Sequence, residues 1–161
     1  MTIVSTHTDT EALTLTFVAE FSADAERVWQ VWQDPRQLER WWGPPTWPAT
    51  FHQHNLSVGS LSKYYMTGPD GSKAHGWWKI TSLDAPHGLE FDDGFADESG
   101  EPTDSPAPVH ATVTIESFDG GTRMTVLSQF ESLEQLEQLA EMGMEEGMTL
   151  AMGQIDALLL D

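Results

Sequence analysis

Residues 12–21, ALTLTFVAEF, alternate apolar and polar side chains, with Leu13, Leu15, Phe17, Ala19 and Phe21 on one face. This period of two predicts a half-buried strand. The period then changes. Ser22 stands at an N-cap position, with Asp24 and Glu26 in the first turn, where the helix dipole favours acids. Ala25, Val28, Trp29 and Trp32 follow at helical spacing, and Pro35 stops that helix near Asp34. Asp34 can cap a second short helix, with Pro35 at its first position and Gln37 at N3. Leu38, Trp41 and Trp42 lie three and four residues apart on it.

Strand patterns return over 49–54 and 61–67. GPDG, residues 68–71, predicts a hairpin turn into a strand over 74–83. DAPHG, 84–88, turns the chain into LEFDDGF. Residues 96–108 are acidic and contain three prolines, which predicts a solvated, mobile loop. VHATVTIESF, 109–118, alternates again, DGG at 119–121 is a second hairpin turn, and TRMTVLSQF is the last strand. Ser132 with Gln135 forms a capping box. Leu133, Leu136, Ala140, Met144, Met148, Ala151, Ile155 and Leu158 then trace one helical stripe. Glycines at 143 and 147 each cost about 1 kcal/mol against alanine in a helix. The expectation is a break near Gly143 and a long helix over about 144–160. A curved antiparallel sheet with that helix across it would bury these faces.

One stretch resists this division. RWWGPPTWPATF, residues 40–51, holds three tryptophans and three prolines. It is too proline-rich for a long helix or a central strand. A core plug, a pocket rim and a partner-binding surface are all open as its role.

Composition narrows the class. The 161 residues suit one domain, over 12–161, with residues 1–11 as a flexible N-terminus. There is no cysteine, so disulfide and thiolate chemistry are excluded. MTIVSTHTDTEA has neither a basic nor an apolar signal region, and no apolar run reaches the roughly 20 residues of a membrane helix. A cytoplasmic location is the expectation. The net charge is −19, of which residues 84–161 carry −17, with Arg123 as their one base. Such a surface repels nucleic acids and anionic membranes. Solubility accounts for the acid excess, and an acidic docking face is the alternative.

Four segments together resemble one family. FSADAERVWQVWQDPRQLERWWGP resembles the opening of START-like (SRPBCC) domains. It is closest to the bacterial branch named after the activator of heat-shock protein 90 ATPase, the AHSA-type domains. VGSLSKYYMTGPDG, HGWWKITSLDAPHGLEF and GMEEGMTLAMGQIDALL resemble that branch's middle strands and terminal helix. The likeness runs in order over nearly all of 12–160. It departs from the pattern at Gly59–Ser60, where a glycine pair is expected.

The resemblance implies an α+β helix-grip fold, like that of the birch-pollen allergens, with a cavity between sheet and C-terminal helix. It implies binding of a small hydrophobic molecule and no built-in cofactor. A chaperone-regulating or other interaction role, with self-association as a dimer, is one alternative. An enzyme related to polyketide cyclases or hydrolases is another. On this reading Met144, Met148 and Met152 line the helix side of the cavity. Tyr64, Met66, Trp78 and Phe91 line the sheet side, and Trp42 or Trp47 borders the mouth, with Trp41 as core.

Two further groups carry chemistry. By alternation Asp93 shares a face with Leu89 and Phe91, so it is the acid placed to point inward. A carboxylate turned into an apolar cavity can act as a general base. His52 and His54, at i and i+2, would share a strand face, with His75 approaching from a neighbouring strand. Three imidazoles suit zinc, although nothing in the spacing requires a metal. No P-loop, dinucleotide fingerprint, G-x-S-x-G or H-E-x-x-H motif occurs.

Overall fold

The computed structural model describes residues 3–103 and 107–160. Eight strands form one antiparallel sheet in the order β1-β2-β8-β7-β6-β5-β4-β3. They are β1 (Ile3–Asp9), β2 (Thr14–Phe21), β3 (Ala49–Gln53), β4 (Leu61–Thr67), β5 (Lys73–Asp84), β6 (Gly88–Phe95), β7 (Val109–Phe118) and β8 (Gly121–Gln129). Helices α1 (Ala25–Gln33) and α2 (Pro35–Trp41) follow β2. Helices α3 (Leu133–Glu141), α4 (Met144–Met152) and α5 (Ile155–Leu159) close the chain. This is the α+β helix-grip architecture: a curved sheet around C-terminal helices.

Local chemistry accounts for most element ends. Asp34 accepts the Arg36 N–H at the start of α2, and the Gln37 amide donates to its other oxygen. Ser132 accepts the Gln135 N–H, while the Gln135 side chain accepts from the Glu131 N–H. Asp119 and Gly120 both have positive φ, as a tight hairpin turn requires.

Four expectations are corrected. Residues 3–9 are not a free tail but an edge strand, paired with β2 from Asp9↔Thr14 to Ile3↔Ala19. The N-cap of α1 is Asp24, not Ser22; its carboxylate accepts the Arg27 N–H at 2.9 Å. The terminal helix breaks at Gly143 as expected, and again after Met152. There the Gln154 N–H reaches only three residues back to Ala151, and the Gln154 amide donates to the Gly43 carbonyl at 2.8 Å. The loop after β6 folds back: Ala96 bridges Pro102, and Asp97 accepts the N–H groups of Ser99 and Glu101. Residues 104–106 of that loop lie outside the described residues.

The core sits between the inner face of the sheet and the helices. Trp32, with no exposed surface, is at its centre. Its ring lies 4.8 Å from Trp41, 6.1 Å from Trp78 and 6.1 Å from Phe91, centroid to centroid. The helices are tied to one another through Arg27, which donates to Gln37 of α2 and to the Leu158 carbonyl of α5.

Candidate functional site

The tryptophan–proline stretch divides into three roles. Trp41 is core, and its indole donates to the Val31 carbonyl at 2.8 Å. Trp47 covers Gly68 at the base of the β4–β5 hairpin, where a Cβ would meet its ring at 2.6 Å. Trp42 turns the other way and forms part of the wall of a cavity.

That cavity has a volume of about 210 Å³, is partly open, and lies between β6–β8 and α4. Phe91, Val109, Ala111 and Val126 form its sheet wall, Met144, Gly147, Met148 and Ala151 its helix wall, and Trp42, Pro44 and Met66 its rim. Asp93 and Ser128 are its polar side chains apart from the Trp42 indole. Ligand cavities have this character, mostly apolar with a few placed polar groups.

Alternation explains the sheet wall. Phe91 and Asp93 are two residues apart on β6, Val109 and Ala111 on β7, and Val126 and Ser128 on β8, so each pair faces the helices. Gly147 supplies space on the opposite side: a Cβ there would meet nothing within 4 Å. Alanine at 147 should therefore stabilise the protein by about 1 kcal/mol through helix propensity. The urea midpoint of Gly147→Ala, rising with an unchanged m-value, checks this; a fall would show that the space is not free.

Asp93 is the site's titratable group. Its Oδ1 accepts the Tyr64 hydroxyl at 2.9 Å, and its Oδ2 has no hydrogen-bond partner among the described residues. Burial in apolar surroundings pushes the carboxyl up to about 7, and the Tyr64 hydrogen bond only partly offsets this. Tyr64 is raised well above its ordinary value by burial and by the Asp93 charge. The Trp42 Nε1–H is buried and makes no hydrogen bond of full geometry, while its approach to the Tyr64 hydroxyl offsets part of that rise.

The structure thus brings Trp42, Met66, Phe91, Asp93, Met144 and Met148 together around one cavity, with Tyr64 behind Asp93. It does not bring in Trp47, which is on the hairpin. Trp78 and Met152 are wholly buried core, and neither lines the cavity. Val109, Ala111, Val126, Ser128 and Gly147 were not singled out from sequence; the alternation of β7 and β8 was the available signal for four of them.

The three histidines do not converge. The β3–β4 register shifts between Phe51 and Gln53, which breaks the i, i+2 relation. His52 stacks on Tyr65 at 6.1 Å, and His75 lies 5.7 Å from the same ring. His54 instead turns inward, with Nδ1 2.7 Å from the Ser62 hydroxyl and Nε2 2.9 Å from the Trp32 carbonyl. The carbonyl can only accept, so Nε2 carries the proton and Nδ1 accepts from Ser62. Burial lowers the His54 pKa. Among the described residues no group of three metal-ligating side chains is placed to hold an ion.

A domain with this grip and an apolar cavity belongs to the START-like class. Residues 22–160 match the family model described as "Activator of Hsp90 ATPase homolog 1-like protein", and the chain belongs to that family. A protein from Arthrobacter aurescens, solved by solution NMR, shares 61% identity over 98% of this chain and 92% of its own, with a TM-score of 0.94. A Mycobacterium smegmatis protein, solved by crystallography, shares 46% identity over 98% of this chain and 96% of its own, with a TM-score of 0.90. A search of curated proteins finds no match. No described helix is long and apolar enough to cross a membrane.

Proposed function

We propose that this protein binds a small hydrophobic molecule in the cavity between its sheet and α4. The carrying observation is a partly open space of about 210 Å³ with almost wholly apolar walls, set beside a closely packed aromatic core. A dry cavity of about 150 Å³ already admits benzene, so this one suits a molecule of one aromatic ring and a short substituent. Three methionines on its walls adapt to ligand shape.

Native mass spectrometry of the purified protein, set against its denatured mass, tests the reading. A reproducible excess mass that dissociates on denaturation supports it, and the mass identifies the molecule. A bare chain that also gains no mass on incubation with small aromatic compounds counts against it.

A second reading rests on Asp93. A carboxyl that titrates near neutrality beside an open cavity has the properties of a general base. Turnover of a bound molecule, lost in Asp93→Asn, would favour that enzymatic reading over simple binding.

A further inference from the structure

Resting on the proposed binding cavity, we infer that its preferred ligand is a hydrophobic amine, its ammonium group seated on the free Oδ2 of Asp93 and its apolar body against the aromatic and methionine walls. Three observations converge. Among the described residues Asp93 is the one ionisable side chain in the lining, and no lysine, arginine or histidine of theirs is there to pair with an anionic ligand. One carboxyl oxygen is held by Tyr64 while the other has no protein partner among the described residues, which leaves it open to a donor from the ligand. The aromatic rings of Trp42 and Phe91 line the space that an ammonium would enter, and the thioethers of Met66, Met144 and Met148 are polarisable.

A neutral alcohol could also donate to Oδ2, but an ammonium gains a charge-assisted bond and leaves the carboxylate paired. A ligand carboxylate would face Asp93 with no counter-charge. The groups facing Asp93 from the packed elements are Tyr64 of β4, Trp42 after α2 and Ser128 of β8; Glu145 and Glu146 of α4 are exposed and outside the lining. Asp93 is therefore the group whose charge tunes the site. Because its carboxyl titrates near 7, amine binding strengthens as pH rises from 6 to 8.

Calorimetric titration of the whole protein at pH 8 with 2-phenylethylamine, 2-phenylethanol and phenylacetate tests this. The expected order is amine about tenfold tighter than alcohol, with the acid weakest. In Asp93→Asn, whose amide oxygen can still accept from Tyr64, the amine should lose its advantage and bind no tighter than the alcohol. Equal binding of amine and alcohol, or an amine preference that survives Asp93→Asn, overturns the inference and leaves the hydrophobic-cavity reading standing. Preference for the acid also overturns it. Binding of none of the three, by a protein shown to be folded by circular dichroism, overturns both.

Discussion

Asp93→Asn is expected to stabilise the protein at pH 8 and to leave it nearly unchanged at pH 4. The folded-state carboxyl titrates near 7, against an ordinary value of 3.8. A proton held more tightly by the folded state stabilises it at low pH. That contribution is complete below 3.8 and lost as pH rises to about 7. At pH 8 the fold therefore carries a desolvated negative charge that asparagine lacks. Roughly three pKa units at 1.36 kcal/mol each set a ceiling of about 4 kcal/mol. The cavity admits solvent to this half-buried group, so about 2 kcal/mol is expected, or a rise in Tm on the order of 5 °C. Thermal melts of both proteins at pH 4, 6 and 8 measure it. A difference that does not grow with pH would show that Asp93 ionises as freely as a surface acid. A stabilising substitution at a cavity carboxylate is the pattern expected when function retains a costly charge.

The second large effect is at Trp32. Its ring has no exposed surface and touches Trp41, Trp42, Trp78 and Phe91, with its Nε1–H directed at the Met124 sulfur at 3.3 Å. Trp32→Ala deletes the centre of that cluster and should cost about 3–5 kcal/mol. Against a total stability of roughly 5–15 kcal/mol, such a loss leaves a marginal fold. It also removes support from Trp42 and Phe91, which form two walls of the cavity. Urea denaturation gives the stability change; a loss under about 1 kcal/mol would mean that the cluster is loosely packed. Trp32→Phe keeps much of the packing and should retain most of the stability.

The sheet and its turns could be read from the chain because alternation and turn chemistry are local. Leu15, Phe17, Ala19 and Phe21 on β2, the GPDG and DGG hairpins, and the Ser132–Gln135 cap all depend on neighbours within a few residues. The edge strand β1 was hidden because IVSTHTD lacks a strong apolar face; its order comes from pairing with β2. The histidine arrangement failed for a related reason, since one bulge in β3 turns His54 inward and leaves His52 outside. Asp93 was legible because β6 keeps its register from Leu89 to Asp93. The cavity's extent was not, because empty space is the difference between two walls set by tertiary packing. Trp78 and Met152 lie on the expected faces but are pressed fully into the core, while Gly147, which has no side chain to signal a face, creates room. Of the roles that the composition of the tryptophan–proline stretch left open, Trp41 takes the core and Trp42 the cavity lining, while Trp47 braces a hairpin.

The most direct test of the cavity as a binding site is a titration followed through the methionine methyl resonances. Met66, Met144 and Met148 line the space, whereas Met142, at the end of α3 and two residues before Met144, is exposed and outside the lining. Adding 2-phenylethanol to protein labelled at the methionine methyls should shift Met66, Met144 and Met148 together, with one saturable curve, and leave Met142 in place. Shifts confined to Met142, or no saturable shift at any of the three cavity methyls, would contradict the account.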